Sequence, residues 1–337
     1  MKYYAGLDVS VKETSICIVD LDGNIIAESS VLSEPAAIAD YLAEQGMPLE
    51  KIGLEAGSLS PWLCHEMRAM KLPVICIETR HAKAAMEAQN VKTDKNDARG
   101  LAHIMRTGWY KEVHIKSHES QKIRVLINNR KCIKNKLIDI ESQIRGTLKV
   151  FGHMVGVVTR KNYEQRIHEL VGDDQELISY IEPLLNIRGT MITQFEKLEK
   201  AVLNIAWHDP VCERLMSIPG VGALTALSFK TAIDKPERFK KSKNVGVHLG
   251  LTPRKYASGE IDYNGRITKC GDDIARSHLY IAAQLLLNSV KKWCPLKAWG
   301  MRIAKRSSKQ KAYVAVARKL SLIMHRMWVD GTYYAHA

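Results

Sequence analysis

The sequence predicts a mixed fold: an α/β domain first, a pair of long helices next, and a mainly helical domain last. Three observations carry this. Residues 1 to 30 alternate polar and apolar as strands do. Apolar residues then recur at steps of three and four from Ile123 to Phe151, and again from Leu177 to Ile205. After Asp209-Pro210 come apolar helical stretches separated by glycine-rich turns.

The chain has 337 residues, roughly two domains' worth with a connector. Its 46% hydrophobic and 26% charged residues are those of a chain that buries a core, which excludes a disordered or fibrous protein. Seven cysteines, none in a C-x-x-C pair, suit a reducing, cytoplasmic compartment. The start MKYYAGLDVS carries no basic region followed by an apolar run, so secretion and membrane insertion are not expected.

The net charge is +14, unevenly spread. Residues 1 to 110 hold 11 basic and 15 acidic side chains, a net −4, whereas 111 to 337 hold 39 and 21, a net +18. A polyanionic partner for the second part follows from that excess. We divide the chain at those changes: 1–110, a connector over 111–208, and 209–337.

Taken in order, YYAGLDVS and ETSICIVDLDGNIIAESS give three antiparallel strands, the last two joined at Asp22-Gly23-Asn24. A helix from Glu34 to Gln45, a strand from Lys51 to Ala56, a helix from Pro61 to Lys71 and a strand from Pro73 to Glu78 complete a β-β-β-α-β-α-β order. That is the order of an RNase H-like sheet, in which the first and fourth strands are neighbours. Helices follow at His81 to Glu87 and Asp94 to Arg106. The connector's first helix has the seam Ile123, Leu126, Arg130, Ile133, Leu137, Ile140, Ile144, Thr147 and Phe151. The segment His153 to Asp174 breaks the pattern before the second seam begins, and Pro183 either kinks the second helix or marks its start. The two helices are expected to form an antiparallel coiled-coil hairpin or a dimer arm. Further apolar helices are expected near Ile274 to Val290 and Ala312 to Trp328.

Four acids fall on these elements: Asp8 at the end of the first strand, Glu55 near the end of the fourth, and Asp94 with Asp97 one helical turn apart. Each alone reads as a solvated turn or helix-cap carboxylate. Together, on neighbouring strands and a following helix, they would crowd negative charge, which hard divalent cations relieve with oxygen ligands at about 2.0–2.1 Å. Such ions stabilise attacking and leaving oxygens at a phosphodiester.

LMSIPGVGALTALSF reads as a helix-hairpin-helix whose turn, with Gly220 and Gly222, offers backbone N–H groups to a phosphate; the alternative is a plain tight turn. In the expected loop LTPRKYASGEIDYNGRITKCGDD, Ser258 stands before Gly259 with Arg254, Lys255, Arg266 and Lys269 around it. A serine needs its proton removed or its oxygen polarised before it attacks, and most loop Ser-Gly pairs are turns. Basic runs KTAIDKPERFKKSK and RIAKRSSKQK suit phosphate contact, and Trp293, Trp299 and Trp328 read equally as core anchors or base-stacking platforms.

GLDVS, GLEAG, KTDKNDARGLA, the long helices, SIPGVG, HLGLTPRKYASG and GRITKCGD, in that order, resemble the DEDD insertion-sequence transposases, the Piv-like, bridge-RNA-guided recombinases of the IS110 family. The similarity spans essentially the whole chain. It implies a RuvC-like N-terminal domain, a coiled coil and a C-terminal transposase domain. Asp8, Glu55, Asp94 and Asp97 would hold Mg²⁺, with Mn²⁺ as a substitute, and Ser258 would be the nucleophile in a composite site. The resemblance further implies a phosphoserine link to DNA, a free 3′-hydroxyl, a non-coding bridge RNA that pairs with donor and target DNA, and a homo-oligomer, dimer or tetramer. One departure is GEIDYNG after Ser258, which carries two acids where basic or small residues suit DNA better.

A RuvC-like junction-resolving nuclease would need the same acids and no serine. An actin-like ATPase also begins with GLD and a hairpin, but Asp8 is followed here by Val9-Ser10, not a glycine-rich phosphate loop. A non-catalytic nucleic-acid-binding protein leaves the four acids without a purpose.

Overall fold

The computed structural model describes residues 1–86 and 93–335 of a chain that is mixed α/β and mostly helical. Two compact units, Met1–Lys116 and Ser117–Ala337, make it up.

In the first unit β1 (Tyr3–Val9), β2 (Glu13–Val19) and β3 (Ile25–Leu32) form an antiparallel meander. α1 (Pro35–Glu44) leads to β4 (Leu49–Glu55), and α2 (Ser60–Ala69) leads to β5 (Val74–Ile77). β4 returns parallel to β1, and β5 adds parallel to β4, so the order is β3-β2-β1-β4-β5. The expected neighbours, β1 and β4, are therefore adjacent. α3 spans Thr79–Met86; Glu87, the last residue of the expected helix, lies outside the described residues, as does Lys92 of KTDKNDARGLA. α4 (Asp94–Thr107) closes the set.

Strict alternation along the central strands buries both sheet faces, as period-2 side chains dictate. Leu7, Ile16, Ile18, Ile52 and Leu54 pack with Ile38, Leu63 and Met67 of α1 and α2 on one face. Tyr4, Cys17 and Val19 pack with Ala98, Leu101, Ala102 and Met105 of α4 on the other. α4 lies unusually close: a Cβ on Gly6 of β1 would sit 2.2 Å from both the Ala98 carbonyl oxygen and the Ala102 nitrogen. Only a glycine lets two backbones meet at that distance.

In the second unit α5 (His118–Val150) and α7 (Gln175–Trp207) are each 33 residues long, with α6 (Tyr163–Val171) between them. They pair antiparallel within the chain: Arg130 meets Glu199, and Arg188 meets Glu141 at 2.8 Å. Those two arginines are the charged interruptions of the apolar seams. Each is absorbed by a carboxylate on the facing helix and by an aromatic ring, Arg130 over Phe195 at 4.8 Å and Arg188 over Tyr163 at 4.3 Å. Arg188 also donates to the Arg160 carbonyl, and its side chain is 3% exposed.

The seams differ from the expected ones near the tip. Leu148 and Leu185 are buried where Thr147, Phe151 and Leu184 were expected, and Phe151 is exposed. The reason is α6, hidden in the segment that broke the pattern: its Tyr163, Ile167 and Val171 join Ile144, Leu148, Ile181 and Leu185 in a separate cluster and turn the buried face toward themselves. α7 begins at Gln175, capped by Asp174, which accepts from the Leu177 N–H at 2.9 Å, so Pro183 is interior and exposed.

The other ends of α5 and α7 contribute Ile123, Ile127, Val202 and Ala206 to the main helical core. That core is built with α8 (Pro210–Met216), α9 (Ala223–Ile233) and α10 (Lys243–His248), followed by a hairpin of β6 (Pro253–Ser258) and β7 (Ile261–Ile267). α11 (Asp273–Asn288), α12 (Pro295–Arg306) and α13 (Lys309–Asp330) complete it. No described helix is long and apolar enough to cross a membrane.

Because the atoms facing Gly6 are backbone and cannot rotate away, Gly6→Ala is expected to destabilise the first unit by about 3 kcal/mol or more. Denaturant unfolding followed by circular dichroism measures this, and a change within 0.5 kcal/mol would contradict the close approach.

Candidate functional site

β1 and β4 are in register at Leu7 and Leu54, so one residue further along sets Asp8 beside Glu55. Asp8 is two residues beyond Gly6, and Glu55 two beyond Gly53, so each shares a sheet face with its glycine. A Cβ at Gly6 would strike the α4 backbone, and one at Gly53 would strike Met105 of α4. Both carboxylates therefore belong to the face that α4 covers.

α4 runs opposite to β1. Its last turns, with His103 and Arg106, lie at Gly23 in the β2–β3 turn, beside the start of β1, while Ala98 and Ala102 lie at Gly6. The first turn of α4, with Asp94 and Asp97, thus falls at the Asp8 end of the strand. Asp94 and Asp97 precede Ala98 and Leu101, buried on the sheet side, by one turn each, which puts both acids toward the same edge. Thr93 caps this helix through the Asn96 N–H at 3.2 Å. Asp94 is exposed and Asp97 half-buried. The four acids share one edge but do not close on a point: among the described residues, only Glu164, His168 and Glu182 have three ligand atoms all within 4.8 Å of one another. That trio lies on α6 and α7 and includes none of the acids the sequence nominated.

The first turns of α4 are held from β3. Glu28 of β3 accepts from Arg99 at 2.5 and 2.9 Å and pairs with Lys95 at 2.9 Å. These hydrogen bonds, that from Arg99 foremost, hold the Glu28 carboxyl down at about 2. The only signal available beforehand was Lys95 and Arg99 at i and i+4, a spacing that puts two cations on one helix face.

Ser258 lies in the second unit, at the last position of β6, paired with Ile261 across the two-residue turn Gly259-Glu260. The expected irregular loop is a hairpin. Gly259 has φ +56°, and Gly at the first position of a two-residue turn is what a type II′ connection requires. Arg254, Tyr256 and Ser258 alternate onto one face, where Tyr256 stacks on Tyr263 with centroids 5.0 Å apart. The acids that departed from expectation have local explanations: Asp262 pairs with Lys255 across the strands, and Glu260 sits in the turn. Arg254 and Arg266 are exposed. Lys269 holds a left-handed backbone, φ +56°, and its N–H bonds the Gly250 carbonyl. A Cβ on Gly250 would lie 2.2 Å from the Cys270 carbonyl oxygen, and one on Gly271 2.0 Å from that of His248. The glycines of HLGLTP and KCGD thus clamp the base of the hairpin.

Gly220 has φ +88°, and a Cβ there would be 2.8 Å from the Ala282 carbonyl of α11, so its conformation serves packing. Gly222 instead faces open space as the N-cap of α9, with no side chain capping the helix.

With this geometry in place, the comparisons are specific. A DEDD transposase model of IS110 elements, described as Transposase, matches residues 5–152, and the model described as Transposase IS116/IS110/IS902 family matches residues 212–297. The protein is a transposase, and both matched segments are similar to IS110-family domains. As a transposase it cuts and rejoins DNA. It is 27% identical over 324 residues to the transposase for insertion sequence element IS1111A of Coxiella burnetii, covering 93% of this chain and 86% of that protein. A probable family 20 transposase of Pseudomonas aeruginosa is 21% identical, with 98% of this chain and 97% of that one covered. Among solved structures, Thermus thermophilus RuvC in complex with a Holliday junction substrate aligns at 13% identity and a TM-score of 0.26, over 34% of the transposase and 100% of the RuvC chain.

The Glu28 ion pairs give the transposase a pH dependence. A carboxyl held low when folded adds stability that is complete above its unfolded range, near 4.5, and is lost as pH falls toward about 2. Glu28→Gln is expected to cost about 2 kcal/mol at pH 7 and to flatten the loss of stability between those limits. Equal acid sensitivity of the variant and the parent, in thermal melts across pH 2–7, would contradict this.

Proposed function

We propose that the transposase cuts DNA with Ser258 as nucleophile and with Asp8, Glu55, Asp94 and Asp97 as ligands of divalent cations. The observation that carries this reading is the strand register, which sets Asp8 beside Glu55 on the face where α4 begins. Four acids at one edge concentrate negative charge, which a divalent cation held by carboxylate oxygens relieves. The donor set is entirely carboxylate oxygen, which fits Mg²⁺, with Mn²⁺ as a substitute, and does not suit softer metals. When bound, such an ion supplies charge stabilisation at the phosphodiester.

The chain's own groups supply the rest. Ser258 presents its hydroxyl at the end of an exposed hairpin whose base is clamped, so the oxygen is accessible and its position is fixed by backbone. Its oxygen forms a bond to phosphorus as the bond to the 3′ oxygen breaks; the serine proton ends on the departing oxygen, leaving a phosphoserine link and a free 3′-hydroxyl. Arg254, Lys255, Arg266 and Lys269 meet backbone phosphates around it, and the uncapped start of α9 at Gly222, opened by the turn at Gly220, offers N–H groups to another phosphate. These contacts recognise DNA without reading bases. Sequence choice is then left to a non-coding bridge RNA, which the similarity to IS110 elements and the +18 charge of residues 111–337 support. Donor and target together call for two or more copies of the chain acting in the cytoplasm.

The test incubates the protein and Mg²⁺ with labelled DNA carrying the ends of its element and resolves the products on a denaturing gel. A protein–DNA adduct is expected for the parent. Ser258→Ala should lose both adduct and cleavage, and Asp8→Asn or Asp97→Asn should lower cleavage by about 1,000-fold, as should chelation of the metal. Full hydrolytic cutting by Ser258→Ala would instead make the protein a metal-dependent nuclease.

A further inference from the structure

The three tryptophans that the sequence left open sort into two kinds. Trp299 and Trp328 pack against the helical core, whereas Trp293, between α11 and α12, is 64% exposed. Lys297 from the first turn of α12 sits over the Trp293 ring, 5.7 Å from its centroid, and donates to the Val290 carbonyl, which anchors it there. Trp293 borders an open groove of about 820 Å³ along α12, walled by Ala298 and Met301 and lined by Arg302, Lys305 and Lys309.

Charge identifies the kind of occupant. From Ile274 to Val329 there is no Asp or Glu, and there are twelve Lys or Arg. A surface of one sign over so long a stretch suits a polyanion. A duplex satisfies the cations but keeps its base faces stacked, leaving the indole and the Met301 wall without a partner. An unpaired nucleotide satisfies both, since every base has a π-face for an aromatic platform and its phosphates lie within reach of the rim. A membrane would need a free apolar helix face, but that of α12 is spent on the core through Leu296, Trp299 and Ile303.

We propose that this groove holds unpaired nucleotides of a single-stranded nucleic acid, one base stacked on Trp293 and against Met301, with Arg302, Lys305 and Lys309 on the flanking phosphates. The groove's lining includes neither Ser258 nor the carboxylates. It gives the transposase a hold on strands that have left a duplex, whether displaced DNA or looped RNA.

The test measures fluorescence anisotropy of the full-length protein with labelled 12-nucleotide oligo-U, 12-nucleotide oligo-dT and a 12-base-pair DNA duplex over a salt series. Trp293→Ala is expected to weaken single-strand binding about ten-fold with an unchanged salt slope and unchanged duplex affinity. Trp293→Leu should behave as Trp293→Ala, and Trp293→Tyr, which keeps a ring, should restore binding. Arg302→Gln with Lys305→Gln should reduce the single-strand salt slope by about 1.4. Loss on oligo-U alone assigns the groove to RNA, and loss on oligo-dT alone to displaced DNA. Unchanged single-strand binding by Trp293→Ala, an equal loss on the duplex, or Trp293-dependent binding to anionic vesicles as tight as to the oligonucleotides would each overturn the proposal. DNA cleavage is not scored in this experiment, so its outcome and that of the Ser258 experiment are independent.

Discussion

The approach of α4 onto β1 through Gly6 is the contact on which the arrangement of the acids rests. A helix held off by an ordinary side chain would sit about a methyl group further from the sheet, and its first turn would lift from the edge where β1 and β4 end. Gly53 repeats the device on β4, where Met105 takes the space a side chain would fill. Glu28 then fixes the helix about its axis by gripping Arg99 and Lys95 from β3. Close packing sets the distance, and the ion pairs set the rotation. Both act on the same helix that carries Asp94 and Asp97.

The second unit carries Ser258 on an exposed two-stranded hairpin, a structure of marginal stability alone. Here the hairpin is stabilised at its base, where Gly250 and Gly271 allow backbone to meet backbone and Arg276 donates to the carbonyls of Leu249 and Cys270. The long helices are likewise stabilised locally. Both arginines in their seams have a carboxylate partner on the facing helix, so an apparently imperfect apolar repeat packs these charges in pairs.

Much was legible because it depends on local pattern. Alternation marked the first three strands, and the β-β-β-α-β-α-β order indicated the β1–β4 neighbours. The three-four spacing gave both long helices to within a few residues. The misses have identifiable causes. α6 was concealed because nine residues hold too few apolar repeats to stand out, and its presence shifted the buried positions from Thr147 and Leu184 to Leu148 and Leu185. The hairpin at Ser258 has no strand signature in the sequence because all six residues of β6 are exposed, so no buried face marks it. The two acids in GEIDYNG looked foreign to a DNA-binding surface until Asp262 was found paired with Lys255.

The sequence by itself determined the two long helices and the strands and helix on which Asp8, Glu55, Asp94 and Asp97 lie, because residue type and short-range periodicity are written along the chain. It also determined the division of charge between the acidic first part and the basic remainder. Only the tertiary structure decided that Asp8 and Glu55 share a face, that Glu28 holds α4, and that Trp293 lies open while Trp299 and Trp328 are packed. Those outcomes depend on the registers and packing distances of segments far apart in sequence, and such distances are set when side-chain volumes meet in the fold, a property no local window contains.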